Sequence, residues 1–149
     1  MLDKSKIGHE FPPFQVELEK GMLRLFAQAI GETSPVYTDE GAAREAGYAS
    51  LPMPLSYPFC LGKFITDPFD TLHLFNLDHS RIVHGEQEFH YHDCACAGDT
   101  LIGRKRVTDV YQRNNGALEF IVVTTEFTDA AHRPVCEAVQ TIVVKHGDR

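Results

Sequence analysis

The second half of the chain alternates between long stretches rich in apolar residues and short turn sequences. We predict four strands, over residues 81–92, 100–112, 118–128 and 135–145. The sequence Asn114-Asn115-Gly116 between the second and third strands indicates a tight hairpin, because these residues tolerate a positive φ. Residues 129–134 supply the next turn. Strands joined by turns this short pair antiparallel, so we expect one antiparallel sheet.

The first half of the chain has helical periodicity. A helix is predicted over residues 17–30, with Gly31 as its stop, because apolar residues recur at helical spacing (Leu23, Phe26, Ala27, Ile30). A shorter helix over 39–46, capped by Thr38, follows it.

A third helix is predicted over residues 55–65, after Pro52 and Pro54, and a loop over 66–80. This segment is apolar on nearly every side, and such a helix is normally buried. The economical arrangement is an α+β fold in which the sheet curls around this helix. One sheet around one helix leaves its edge strands open, so we expect an oligomer.

Composition limits the classes of function. The chain has 149 residues, which predicts a single domain over 1–149. Its net charge of −7 argues against a general nucleic-acid or anionic-membrane binder. No apolar run approaches the ~20 residues of a membrane helix, and the polar N-terminus has no secretory signal pattern. The four cysteines form no disulfide framework, and we therefore expect a cytoplasmic protein.

A series of segments, in order along the chain, points to one known family. The segments are Ala29 to Tyr37 (AIGETSPVY), Ala43 to Tyr48 with Pro52 and Pro54, His84 to Phe89 (HGEQEF), Tyr91-His92, and Ala97 to Thr100 (AGDT). Together they resemble the N-terminal dehydratase-type branch of the MaoC-like hot dog family.

The resemblance implies a hot dog fold, with residues 55–65 as the long central helix inside the sheet. It also implies a lyase of fatty acid metabolism that reversibly hydrates a trans-2-enoyl thioester to a (3R)-hydroxyacyl thioester. Coenzyme A or acyl carrier protein would carry the substrate, with no further cofactor. Some members of this branch lack the catalytic residues and pair with a catalytic hot dog subunit.

The family's catalytic segment, Gly-Asp-x-Asn-Pro-x-His, is altered in this chain. Glu32 stands at the Asp position, Ser34 at the Asn, Pro35 at the Pro and Tyr37 at the His. Tyrosine has an ordinary pKa of ~10 and is a poor base near neutral pH. The glutamate side chain is one methylene longer than aspartate, and such displacements are costly. The glycine whose N–H would stabilise the thioester oxygen aligns near Pro54, which has no N–H.

These departures favour an acyl-thioester-binding subunit that is weakly active or inactive alone, in a heteromer with a catalytic MaoC-like subunit. Two alternatives remain. One is a self-sufficient homodimeric enoyl-CoA hydratase that uses Glu32, Tyr37 or His84. The other is an acyl-CoA thioesterase, on fold analogy alone.

Further candidates lie on the predicted strands. His84 either faces the thioester as an acid or base, or bonds a loop carbonyl. Gly85 either allows a ligand to approach the backbone or forms a bulge. Arg104 and Arg106 share one face of a strand, where they either hold coenzyme A phosphates or are simply solvated.

A metal-binding module is a further alternative. Metal-ligand residue types alternate along residues 88–96 (Glu88, His90, His92, Cys94, Cys96). However, Cys-x-Cys is a poor zinc spacing, and residues i and i+2 of a strand lie ~6–7 Å apart. We therefore predict no metal site, and a polar outer face opposite Phe89 and Tyr91.

Overall fold

Five strands form one antiparallel sheet in the described part of the chain. The computed structural model describes residues 1–62, 65 and 67–145. The strands are β1 (Phe14–Glu17), β2 (Ile82–Tyr91), β3 (Thr100–Arg113), β4 (Leu118–Thr128) and β5 (Pro134–Lys145). Their order across the sheet is β1-β3-β4-β5-β2. The predicted α+β class and the antiparallel sheet are confirmed, and the four strands predicted from the sequence begin and end within one residue of β2–β5.

Strand β1 was not predicted from the sequence, where Glu17 was assigned to the first helix. It pairs with β3 in a register that sets Phe14 opposite Gly103. A Cβ built on Gly103 would lie 2.3 Å from the Phe14 ring, so the missing side chain makes room for the phenylalanine. The strand therefore depends on a residue almost ninety positions away, which local periodicity does not show.

Two helices lie between β1 and residue 46. Helix α1 (Lys20–Ala29) begins at Lys20 rather than at residue 17. It ends before Gly31, the predicted stop, whose φ is +74°. Helix α2 (Glu40–Glu45) is capped by Asp39, whose carboxylate accepts a hydrogen bond from the Ala42 N–H at 2.7 Å. The prediction of Thr38 as its cap was wrong by one residue.

The prediction of a long central helix over residues 55–65 was wrong at both ends, since the helix found there has four residues and Gly62 follows it as the C-cap. Helix α3 (Pro58–Leu61) begins three residues later, because the Tyr57 N–H closes a turn on the Pro54 carbonyl at 2.9 Å. Leu55 is exposed, whereas Tyr57 and Leu61 are buried in the core. Positions 63 and 64 of the predicted helix, and position 66 of the predicted loop, lie outside the described residues. The rest of that loop contains a short helix, α4 (Asp70–Leu74).

The core lies between the concave face of the sheet and the helical segments. Alternate residues of each strand face inward; Phe127, Val123 and Ile121 of β4 are almost fully buried. The hairpin between β3 and β4 is the predicted one, with positive φ at Asn114, Asn115 and Gly116. No helix of the described residues is long and apolar enough to cross a bilayer.

Candidate functional site

A cavity of about 340 Å³ lies between the concave face of the sheet and the segment that runs from α3 to α4. Its volume is at the lower end of the ~300–1,000 Å³ typical of small-molecule sites. Apolar side chains of both layers make up most of the lining, among them Phe59, Phe69, Val123, Phe127 and Ile142. This space is open to solvent on one side, where Phe59, Phe69 and Val83 are exposed, and its size and mostly apolar lining suit a small-molecule ligand.

Polar side chains occupy one side of this cavity. The Gln140 Nε2 lies 3.4 Å from the His84 Nδ1, and the ring of Phe59 meets the His84 ring edge-on at 5.3 Å. Gln87 reaches the same space from β2, and its Nε2 donates to the Val139 carbonyl at 3.0 Å. Of these residues, sequence reasoning identified only His84.

An ion pair closes another side of the cavity. The Lys105 ammonium pairs with the Asp70 carboxylate, and it lies 4.6 Å from the centre of the Phe11 ring. Both charged side chains are mostly buried, at 14% and 17% exposure. Because Lys105 is on β3 and Asp70 begins α4, the pair attaches α4 to the sheet.

The segment Glu32–Tyr37 forms a compact turn. The Glu32 carboxylate accepts a hydrogen bond from the Ser34 N–H at 2.9 Å, and Ser34 precedes a single helical turn over Pro35–Tyr37. Burial, followed by the nearby Glu32 charge, raises the pKa of the Tyr37 phenol. Tyr37 therefore keeps its proton at neutral pH, and Glu32 stabilises the turn.

Tyr91, at the end of β2, connects this turn with the start of the α3 segment. Its hydroxyl donates a hydrogen bond to the Leu55 carbonyl. Burial raises the pKa of Tyr91, and Cys136, Tyr37 and Cys94 are near enough to raise it further. Tyr91 was not predicted as a site residue, although its alternation with Phe89 already placed it on an inward face.

The structure does not bring the three proposed catalytic residues together within one chain. Tyr91 lies beside Tyr37, whereas His84 is seven residues earlier on the same strand. At about 3.3 Å per residue, this places His84 roughly 20 Å from Tyr91, at the opposite end of the strand.

Gly85 lies at a β-bulge. The pairing of β2 with β5 shifts register between His84 and Glu86. A Cβ on Gly85 would lie 2.5 Å from the Val143 Cγ2 and 3.2 Å from the Thr141 carbonyl oxygen. The backbone at Gly85 therefore lies close to β5. Of the two interpretations drawn from the sequence, ligand approach or a bulge, the structure shows the bulge.

Arg104 and Arg106 lie on the outer face of β3, on the same side as predicted. They border a shallow cleft of about 210 Å³ that also contains Glu10 and Phe11. The Arg106 Nη2 is 2.9 Å from the Glu126 carboxylate, so its charge is already paired. In the part of the chain that the structure describes, Arg104 makes no ion pair, which leaves it as the freer cation for a phosphate.

The metal-ligand residue types of 88–96 are dispersed. The Glu88 and His90 side chains pair with each other at 3.2 Å, and His92 contacts Glu137 at 3.4 Å. Strand β2 ends at Tyr91, so the two cysteines of this set lie in the following turn. Within residues 1–62, 65 and 67–145, no three His, Cys, Asp or Glu side chains converge as a ligand set. The metal-binding alternative has no geometric support.

Comparison with known proteins gives consistent matches over nearly the whole chain. The family model "FAS1-like, dehydratase domain region" matches residues 5–138. A UPF0336 protein of Saccharopolyspora erythraea is 37% identical over 147 residues, which cover 97% of this chain and 92% of that protein. A UPF0336 protein of Streptomyces avermitilis is 33% identical over 152 residues, covering 97% and 95%.

Solved structures share the fold. A chain of the HadBC (3R-hydroxyacyl-ACP dehydratase) complex from Mycobacterium tuberculosis superposes with a TM-score of 0.81 and 26% identity, covering 93% of this chain and 96% of that one. A MaoC-like dehydratase gives a TM-score of 0.85 at 23% identity, covering 97% of this chain and 43% of that one.

Proposed function

The chain belongs to the FAS1-like dehydratase domain family, and on that premise we propose that it is the acyl-thioester-binding subunit of a (3R)-specific enoyl thioester hydratase or hydroxyacyl thioester dehydratase. Coenzyme A or acyl carrier protein carries the substrate in this proposal. The observation on which it depends is the largely apolar cavity of about 340 Å³ beneath α3 and α4. Transfer of a fatty acyl chain out of water is favourable, and a cavity with this mostly apolar lining could bind the chain.

The local chemistry is consistent with little or no hydratase activity of the chain alone. Hydration needs a general base for water and an acid for the α-carbon. The Glu32 carboxylate already accepts from the Ser34 N–H, and the raised pKa of Tyr37 keeps that phenol protonated. His84 lies at the other end of β2, and Pro54 has no N–H for the thioester oxygen. An acid–base pair beside the cavity would have to come from a second subunit.

The free edge of β2 offers a place for that subunit. In the described residues β2 pairs only with β5, so its other edge has unpaired backbone groups. A catalytic hot dog subunit that adds its own strand here would place its residues next to the mouth of the cavity, near His84. The similarity to a chain of the HadBC complex supports a heteromer.

The same edge also favours a second candidate, the self-sufficient homodimer. If β2 pairs antiparallel with β2 of a second copy, a two-fold axis near the middle of the strand sets His84 of one copy opposite the Tyr91 end of the other. Because Tyr37 lies beside Tyr91, each cavity would then have the Glu32–Tyr37 turn of the other copy at its mouth.

A hydration assay distinguishes these functions. Purified chain, alone and co-purified with its catalytic partner, is given a trans-2-enoyl-CoA, and loss of the enoyl absorbance is followed. We expect the pair to be at least about a hundredfold faster than the chain alone, because a positioned acid–base pair contributes on that scale. Full activity of the chain alone would support the homodimer instead. Release of free thiol would support the thioesterase, and an inactive pair would contradict a role in hydration.

A further inference from the structure

The outer face of the sheet is acidic along the free edge of β2. After the bulge, Gln87 and Phe89 face inward, so Glu86 and Glu88 face outward beside that edge. Both glutamates are exposed, and the Glu88 side chain is 59% exposed. On the neighbouring strand β5, Glu137 adds a third carboxylate to the same face. A strand that pairs with β2 must therefore meet a row of carboxylates.

The cations of this chain compensate that row only in part. The Glu88 carboxylate contacts the His90 imidazole at 3.2 Å, and Glu137 contacts His92 at 3.4 Å. A histidine carries a full positive charge only when it is protonated. Arg81 precedes the strand at its start, and the outward arginines of β3 are three strands away, roughly 14 Å at the usual strand spacing. The edge thus keeps a net negative charge near neutral pH.

Pairing between two copies of β2 would set these glutamates against each other. Two copies of one strand pair antiparallel about a two-fold axis, and the pairing uses most of the strand only if the axis lies at residue 86, 87 or 88. Each of these registers puts glutamate opposite glutamate, either one residue against its own copy or Glu86 against Glu88. An axis at Phe89 would bring Glu88 opposite His90, but it would pair only residues 87–91 of the strand. Like charges directly opposite each other in a sheet are destabilising, so self-pairing through β2 is disfavoured.

We propose that β2 pairs with the edge strand of a different hot dog chain, one that presents lysine or arginine opposite Glu86 and Glu88. The two glutamates are then specificity residues, because they attract such a strand and disfavour pairing with a second copy. The proposal rests on the proposed function, since it names the kind of subunit that joins at this edge. A heteromer of this kind, rather than the homodimer, then brings an acid–base pair to the cavity.

A charge-swap mixing experiment tests the proposal with this chain alone. The double variant Glu86→Lys/Glu88→Lys supplies an edge strand with two cations, and the natural chain supplies the acidic one. The fluorescently labelled variant is titrated with the natural chain, and each is also studied alone, by analytical ultracentrifugation at low salt. We expect the mixed pair to form about five- to tenfold more tightly than either self-pair, because lysine then stands opposite glutamate in all three registers. The gain should shrink at high salt, since exposed charges are screened.

Matched variants assign the effect to the β2 edge. Glu17→Lys/Glu19→Lys makes the same charge change at the same spacing by the other edge of the sheet, where both glutamates are exposed, and its mixture with the natural chain should show no such gain. Glu86→Gln/Glu88→Gln removes the repulsion without adding a cation, so it should self-associate about two- to fivefold more tightly than the natural chain. Circular dichroism checks the fold of each variant, and the glutamine variant still tests the proposal if the lysine variant does not fold.

Two outcomes would overturn the proposal. One is a mixed pair that is no tighter than the self-pair of the natural chain, or no tighter than the mixture with Glu17→Lys/Glu19→Lys. The other is a tight self-pair of the natural chain that Glu86→Gln/Glu88→Gln leaves unchanged, which would assign the edge to a second copy. Both are measured without turnover, whereas the proposed function is contradicted by an inactive pair in the hydration assay, so the two failures are distinguishable.

Discussion

Gly85, on the long edge strand β2, stands at a position where the fold leaves no room for a side chain. It lies in the bulge between His84 and Glu86, and the Val143 side chain occupies the place where its Cβ would be. The bulge also changes which residues face inward. His84 and Gln87 are an odd number of positions apart, yet both line the cavity, because the bulge reverses the alternation between them.

Gly85→Ala is expected to destabilise the fold by about 1–3 kcal/mol, because the methyl group must displace Val143 or the strand backbone. Urea unfolding followed by circular dichroism measures the change. Gly21→Ala is the control: Gly21 lies in α1 with no atom within 4 Å of an added Cβ, and alanine there should be neutral or stabilise by about 0.4–1 kcal/mol. Equal stability of Gly85→Ala and the natural chain would show that the bulge does not require glycine.

Glu32 offers a second test at the level of one residue. If its carboxylate serves the Ser34 N–H, Glu32→Gln keeps an acceptor and should leave kcat/KM of the co-purified pair within about twofold, whereas Glu32→Ala should cost about 1 kcal/mol of stability. Steady-state hydration and urea unfolding measure the two effects. If both variants lose about a hundredfold or more in rate, Glu32 is the general base and the homodimer reading gains support.

Among the elements, the four long strands β2–β5 were predictable, whereas β1 and part of the site were not. The bounds of β4 (Leu118–Thr128) were predicted to the residue, because its apolar alternation is flanked by turn residues on both sides. Strand β1 and the start of α3 depend on Gly103 and on a turn at Pro54, and neither leaves a periodic pattern. Gln140 could have been identified from the sequence, because it is a polar residue between Ala138 and Ile142 on the inward face of β5. Gln87 could not, because the bulge in β2 changes which residues face inward.

The turn between β4 and β5 gives a pH-dependent prediction. The Asp129 carboxylate accepts from the Arg133 N–H at 2.8 Å and from the Ala131 N–H at 2.9 Å, and the Arg133 backbone bond is the main cause that lowers the pKa of Asp129 below its ordinary 3.8. A lowered folded-state pKa gives stability that is present above the unfolded pKa and is lost as the pH falls through the folded value.

Asp129→Ala is therefore expected to lower Tm at neutral pH, and the difference from the natural chain should shrink only below about pH 4, where the free carboxyl protonates. Thermal unfolding by circular dichroism across pH 7 to 3 measures it. Asp129→Asn keeps a hydrogen-bond acceptor, so its Tm should lie between those of Asp129→Ala and the natural chain. A difference that grows toward acid pH would contradict the assignment.

At the scale of the whole molecule, the two edges of the sheet are unequal. Strand β2 presents ten residues at its edge, and β1 presents four, directly after Pro12 and Pro13. The longer edge contributes more of the cavity lining, with four residues of β2 (Ile82, Val83, His84 and Gln87) against Phe14 alone from β1. Assembly and substrate binding would therefore use the same strand.

Val83→Lys is expected to weaken association through β2, because a charged lysine on an edge strand opposes pairing with another strand. Val83 is 41% exposed on β2. Analytical ultracentrifugation of the chain, alone and with its partner, should show at least about a tenfold loss of affinity, equivalent to about 1.4 kcal/mol. Leu25→Lys, at a 59% exposed apolar position on α1, should leave association unchanged. Equal effects of both variants would exclude the β2 edge as the interface.

The inequality of the two edges also bears on how large an assembly can grow. A filament grows by edge-to-edge pairing only if every subunit has a pairing-competent edge strand on both sides, so that each added subunit exposes another unpaired strand. Here the second border is four residues long and follows two prolines, which have no N–H to donate. If two subunits joined along β2, as proposed, both remaining edges would be the short β1 edge, and growth would stop at a closed pair.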